Sequence, residues 1–129
     1  MISIRSSLAP WALSLLLGAS IGGADGFRVL DRAKVYHGYA DAFTSPAAVE
    51  STRVMDALPA MKKIRDEKVQ KDSARWYVLI NEANQQFQRA LRTVAKEGGY
   101  DLIAEVGAVT GSKAIPNVTD LAINASARG

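Results

Sequence analysis

The clearest pattern in the chain is a run of apolar residues at helical spacing between residues 74 and 97. Its members step by three or four positions: Trp76, Ile80, Ala83, Phe87, Leu91 and Val94. This period is typical of one buried face of an α-helix. Asp72 or Ser73 can cap the start, and Gly98–Gly99 is a strong stop signal. The pattern predicts a helix that ends at the glycine pair.

A second and less regular helical pattern comes before it. Its apolar positions are Val49, Met55, Leu58, Met61, Ile64 and Val69. Thr44 or Ser45 can cap this helix, with Pro46 in its first turn. Pro59 is expected to kink it, because proline removes a backbone donor. With a break at 70–73, residues 46–97 are predicted to form two arms of similar length, an α-helical hairpin.

Short apolar runs flank this hairpin. The run "FRVL" (27–30) predicts a strand, and Asp31 is a natural cap for a helix over "RAKVYHGYADAF" (32–43). One face of that helix would carry Val35, Tyr36, Tyr39 and Phe43.

Two further runs follow the hairpin. "YDLIAEV" (100–106) and "AVTG" (108–111) are too short for helices, and Gly107 between them suits a turn. We therefore expect two strands that pair with each other and with "FRVL". Thr119 can cap a short terminal helix, "DLAINASA".

These elements predict an α+β fold: a small antiparallel β-sheet body with a projecting α-helical hairpin. The body would comprise residues 25–45 and 98–129, and the arms residues 46–97. A body of this size buries a marginal core and leaves sheet edges open. We therefore expect self-association through the body.

The first residues have the composition of a secretory signal peptide. Arg5 is the only charge before Asp25, and an apolar segment separates the two. Cleavage is expected after Ala24, with Ser20 as the alternative, which leaves 25–129 as one exported domain. The alternative is an uncleaved membrane anchor. Its apolar stretch would be short against the roughly 20 residues that a bilayer needs, and it contains Pro10.

Composition and charge restrict the chemistry. The chain is 48% hydrophobic and has no cysteine, which excludes a lipid-modified cysteine and disulfides. Residues 25–129 hold 15 basic and 13 acidic residues, a net charge of +2 that does not suggest nucleic acid. Residues 62–75 hold six basic and three acidic side chains, so the positive charge concentrates there. This segment would lie at the tips of the arms.

The sequence offers little for catalysis or metal binding. His37 is the only histidine, so a histidine-rich metal site is excluded, and Asp41 could form a simple local pair with it on one helical face. Asp101 and Glu105 would share one strand face, where a capping or surface role is expected rather than acid–base work. Without a phosphate loop or a metal-spaced cluster, we expect no enzyme, no cofactor and no metal.

The C-terminal third resembles the Skp/OmpH family of periplasmic chaperones. The resemblance lies in "LRTVAKEGGYDLIAEVGAV" followed by "NVTDLAI", where Asn117-Val118-Thr119 stands in place of the family's Asp-Ile-Thr motif. "FRVLDRAKVYHGYADAF" resembles the family's first strand and helix more weakly. The resemblance implies a homotrimer whose helical tentacles enclose unfolded outer-membrane proteins. The arms here are shorter than those of the well-known members.

The sequence and the resemblance together suggest an ATP-independent periplasmic holdase. The candidate client-binding residues are Lys62, Lys63, Arg65, Lys68, Lys71, Arg75, Trp76 and Tyr77. One of the two aromatic neighbours must point away from the seam between the arms, whereas Met55 and Met61 are expected in ordinary core packing or as an adaptable lining. The basic segment could contact acidic clients or anionic lipid, or be a solvated helix face. The alternative function is a structural or adaptor subunit of an envelope complex, with the arms as a docking coiled coil.

Overall fold

A computed structural model gives the fold of residues 26–128, and the predicted signal peptide lies outside these residues. The strands are β1 (Arg28–Val29), β2 (Val35–Gly38), β3 (Pro46–Val49), β4 (Leu102–Glu105) and β5 (Val109–Thr110). The helices are α1 (Ser51–Ala57), α2 (Pro59–Asp66), α3 (Ala74–Gly98) and α4 (Thr119–Ala127). The predicted α+β class is confirmed.

The strands form two small sheets. In one, β4 lies between β2, which is antiparallel to it, and β3, which is parallel to it. In the other, β1 pairs with β5 in antiparallel fashion. The strand predicted in "FRVL" is therefore confirmed, together with its pairing to "AVTG". The predicted pairing between β4 and β5 is wrong, because the two strands belong to different sheets, and the larger sheet is mixed rather than antiparallel.

Residues 46–49 form a strand, so the prediction of a helix starting at Pro46 is wrong. The Asp101 carboxylate accepts the backbone N–H groups of Thr44 and Ser45, at 2.8 Å each, and so fixes the chain just before β3. Pro46 is the first residue of β3, a position that tolerates a missing donor. On the outer side of β3, Ala48 exchanges backbone hydrogen bonds with Pro116 and Val118. The predicted boundary of the body at residue 45 is thus too early.

The helix predicted over 32–43 is also wrong. Asp31 does cap a turn, because its carboxylate accepts the N–H of Ala33, but that turn is a single 3-10 turn at Arg32–Lys34. The chain then enters β2, which ends at Gly38 with φ 89°. Pairing with β4 makes this segment a strand. Tyr39, which was predicted on the buried face of a helix, is 80% exposed.

The helical hairpin is present, with unequal arms. The outgoing arm comprises α1 and α2, and Pro59 is the first residue of α2, so the chain has two separate helices here instead of the one kinked helix that was expected. Residues 67–73 form the turn, and the returning arm is α3, 25 residues long. At 1.5 Å per residue α3 spans about 37 Å. Ser73 caps its start and Gly99 ends it in the left-handed conformation, as predicted.

Two hydrophobic clusters lie on opposite faces of the larger sheet. The larger cluster joins the helices to the sheet and includes Leu58, Phe87, Leu91 and Ile103. Met55 and Met61 are half-buried and pack against this cluster, in line with core packing, one of the two roles expected for them. The smaller cluster lies between the two sheets and consists of Phe27, Phe43, Leu102, Ala104, Ala108 and Val109. Successive residues of β4 alternate between the clusters, as strand geometry requires.

The terminal helix α4 begins at Thr119, but Thr119 is not its cap. Val118 is the N-cap residue and provides no side-chain hydrogen bond. The Thr119 hydroxyl instead accepts the N–H of Glu50 at 2.9 Å and donates to Asn117 at 2.6 Å. Thr119 therefore ties α4 to the end of β3, and α4 packs along α3 and α1.

Candidate protein-binding site at the arm tip

The tip of the arm is the turn at residues 67–73 with the adjoining ends of α2 and α3. Ser73 Oγ accepts the N–H of Trp76 at 3.2 Å and donates to the carbonyl of Gln70 at 2.7 Å. Lys68 and Asp72 both have positive φ, 52° and 69°, which lets the chain reverse within a few residues. The cap and these two residues give the turn a defined backbone path.

Six cations lie at the tip, as the position of the turn requires. Two of them are paired with other groups of the same chain. Arg75 forms an ion pair with Glu67, and Arg65 Nη2 donates to the carbonyl of Asp56 at 2.8 Å. The other four are exposed and form no ion pair with any residue in 26–128: Lys62, Lys63, Lys68 and Lys71. Free positive charge therefore comes from lysines on α2 and the turn.

The two aromatic neighbours at the tip differ in exposure. Trp76 is half-buried, whereas Tyr77 is 56% exposed, and their rings meet edge to face at 5.0 Å. The Tyr77 hydroxyl donates to Asp72 at 3.0 Å, which holds the ring at the surface. Val78 beside it is 64% exposed. Sequence reasoning missed Val78, although it lies opposite the apolar stripe of α3 and could have been found from the helical period.

The apolar seam between the arms is closed. Leu79 and Ala83 are buried, and Ile64 and Val69 pack against the same cluster. A partner that binds the tip would therefore meet Tyr77, Val78 and the lysines, not the seam.

A polar network connects the base of the arm to the sheet. Glu105 accepts the Tyr36 hydroxyl at 2.7 Å and the N–H of Ser51, at the start of α1, at 3.3 Å. Burial alone would raise the pKa of Glu105, but the hydrogen bonds from Ser51 and Tyr36 outweigh it, so the pKa lies below its ordinary value. Burial raises the pKa of Tyr36. Glu105 therefore accepts a backbone donor at the start of α1, a structural role in line with the capping or surface role expected for it.

The remaining sequence candidates do not assemble into a reactive site. Asp41 pairs with Arg32, at 2.6 and 2.9 Å, so the predicted pair with His37 is wrong. The hydrogen bond from Arg32 lowers the pKa of Asp41. Asp101 clamps the turn before β3, in line with the structural role predicted for it. No cluster of three potential metal ligands occurs within residues 26–128.

The helices described for residues 26–128 include none that is both long and apolar enough to cross a membrane. A scan against models of protein families, a search of curated proteins and a search of solved structures each find no match for this chain.

Proposed function

We propose that this chain is an exported, ATP-independent holdase that binds unfolded envelope proteins through its arm tip and performs no catalysis. The observation that carries the proposal is that Tyr77 and Val78 are exposed at the start of α3, while four exposed lysines without acidic partners lie on α2 and in the turn that joins it to α3. Exposed apolar side chains can bind apolar segments of an unfolded chain, and unpaired lysines can attract its acidic segments. Residues 1–24 would direct export to the periplasm and be removed there.

The proposed assembly is a homotrimer joined through the sheets. Three body residues near strand ends support self-association, because Leu30, Tyr39 and Val106 expose much of their apolar surface, 55%, 80% and 49% respectively. In addition, β2 is an edge strand of its sheet, and edge strands favour pairing with another chain. Three tips in one assembly would supply avidity although each tip binds weakly.

A second candidate is an adaptor subunit whose arm docks on one folded envelope partner. The closed seam and the short α2, eight residues long, favour this function. Such an arm offers a defined, small surface and little room to surround a client.

The test is aggregation of a urea-unfolded outer-membrane β-barrel after dilution, with and without the purified protein, at low and high salt. We expect suppression that weakens with salt. The double variant Lys62→Glu/Lys68→Glu should lose most of it, whereas Arg28→Glu/Lys113→Glu, with the same charge change at exposed positions of the body, should retain it. Light scattering measures the mass of each variant, and a monomer would contradict the proposed trimer.

The apolar part of the site is tested separately with Tyr77→Ser/Val78→Ser. We expect a loss of suppression that persists at high salt, because apolar contacts are not screened. If the parent protein fails to suppress aggregation at several-fold excess, the holdase proposal fails. Capture of one folded envelope protein that depends on Lys62 and Tyr77 would then support the adaptor.

A further inference from the structure

The outward side of α3 carries a second polar surface that the arm-tip proposal does not use. We call it the polar face of α3, and it consists of Asn81, Asn84, Gln85, Gln88, Arg89, Arg92 and Lys96. These seven residues are all exposed and fall on one side of a helix with 3.6 residues per turn. The face contains amides toward its start, cations toward its end, and no acidic residue.

The arginines of this face differ from most others in the protein. Within residues 26–128, Arg32, Arg53, Arg75 and Arg128 each form an ion pair, and Arg65 donates to a backbone carbonyl. By contrast, Arg89 and Arg92 have no hydrogen bond or ion pair to a described residue. Their forked donors are therefore available to a ligand.

Arg89 lies between a cleft and a shallow depression. One cleft of about 240 Å³ lies between the start of α2, α3 and the end of α4, with Ala90 and Ala125 in its lining. Gln86 fixes its wall, since its side-chain oxygen accepts the N–H of Ala60 at 3.1 Å. A shallow, open depression of about 380 Å³ lies along the polar face between Asn84 and Arg92. Arg89 lines both the cleft and the depression.

We propose that the polar face of α3 docks an acidic segment of a partner protein, with carboxylates on Arg89 and Arg92. Charge complementarity identifies this occupant, because guanidinium groups bind carboxylates through two parallel hydrogen bonds. The flanking amides offer donors and acceptors to the partner's backbone. A small apolar side chain of the partner would enter the alanine-lined cleft.

The two arginines of this face lie away from the arm tip, and their proposed role does not depend on the tip. Arg89 follows Arg75 by fourteen residues on one helix, a distance of about 21 Å along the axis. One partner chain could bridge both surfaces, or two could occupy them independently. Variants at the two surfaces therefore give separate readouts.

The test is fluorescence anisotropy of a labelled, alanine-rich helical peptide whose glutamates are spaced three and four residues apart. The control peptide has glutamine at each glutamate. We expect the full purified protein to bind the acidic peptide in preference to the control, and more weakly as salt rises.

Variants of the protein then locate the binding. Arg89→Glu/Arg92→Glu should weaken binding at least about tenfold, and Arg89→Lys/Arg92→Lys about threefold, because lysine keeps the charge but loses the fork. Arg28→Glu/Lys113→Glu supplies the matched change in net charge and should leave binding within about twofold. Circular dichroism checks that each variant is folded.

Four results would overturn the proposal. They are no binding of the acidic peptide by the parent, equal binding of the glutamine peptide, an equal loss in the matched control, and a fall in oligomer mass caused by Arg89→Glu/Arg92→Glu. The last result would show that the polar face of α3 is an interface between copies of this chain.

Discussion

The Asp101 side chain joins the start of β4 to the chain just before β3, and its removal is the sharpest test of the fold. One carboxylate oxygen accepts the Thr44 N–H at 2.8 Å and the Thr44 hydroxyl at 3.1 Å, and the other accepts the Ser45 N–H at 2.8 Å. The Asp101 N–H donates in return to the carbonyl of Ser45 at 3.1 Å. These bonds set the parallel register in which Pro46 opposes Leu102.

The loss of stability expected when Asp101 is replaced follows from the kind of these hydrogen bonds and from their exposure to water. A hydrogen bond to a charged group contributes about 1.5–3 kcal/mol when well shielded. Asp101 is exposed, so water screens its charge and can replace it after truncation. We expect Asp101→Ala to lower the free energy of unfolding by about 2 kcal/mol and Asp101→Asn by about 1 kcal/mol, since Asn keeps one acceptor oxygen.

The contribution of Asp101 should also depend on pH. Burial alone would raise its pKa, but the hydrogen bonds from Ser45 and Thr44 outweigh burial, so the folded-state pKa is below the ordinary value. The stabilisation is therefore present above the unfolded-state pKa, about 3.9 for Asp, and is lost as pH falls through the lowered folded-state pKa.

The assay is urea unfolding of the parent and Asp101 variants at neutral pH and at about pH 3. We expect the difference between parent and Asp101→Asn to shrink at the lower pH. Asp56→Ala is the control, because Asp56 is exposed on α1 and its carboxylate has no hydrogen bond to a described residue. A difference below about 0.5 kcal/mol for Asp101→Ala, or one that does not change with pH, would refute the role given to this clamp.

Three further predictions concern the glycine bend, the core and the base of the arm. Gly38→Ala should lower the free energy of unfolding in urea by at least about 2 kcal/mol, since a Cβ there would overlap a backbone carbonyl at the start of β4. Gly107→Ala is the control: it has a similar φ but open space around it, and should lower the free energy of unfolding by about 1 kcal/mol. Leu91→Ala should cost about 2–5 kcal/mol and lower the melting temperature, because Leu91 is fully buried, and a loss under 1 kcal/mol would contradict that packing. Tyr36→Phe should raise the pKa of Glu105 toward its ordinary value, which a carboxyl NMR titration measures. The variant should also lose less stability than the parent as pH falls. An unchanged titration would exclude the Tyr36–Glu105 hydrogen bond.

The sequence predicted the helical part of the arm well because that information is local. The stripe from Trp76 to Val94, the cap at Ser73 and the stop at Gly99 all lie within α3 or beside it. Pro59 likewise acts on its own segment, by ending one helix and starting the next. The position of the basic segment at the tip followed from the predicted turn.

Pairing between distant segments was not predictable in the same way. Ala47 and Ala48 fit a helix or a strand equally well, and only the parallel ladder with β4 makes them strand. Tyr36 shows helical spacing to Tyr39, yet its hydroxyl binds Glu105, 69 residues later. No local pattern signals such a contact.

For the two candidate surfaces as well, some features can be read from the local sequence and others only from the tertiary structure. The residue types at the arm tip and on the polar face of α3 can be read from helical spacing alone. Helical spacing could not show whether a cation is free or paired, because Arg75 forms an ion pair with Glu67 across the turn and Arg128 forms one with Glu97 on another helix. The sequence by itself determined α3, the interruption at Pro59, the turn and the location of charge, since each depends on neighbours within a few residues. The tertiary structure alone decided the mixed sheet, the arm base and the unpaired arginines, since those depend on contacts that chain folding brings together.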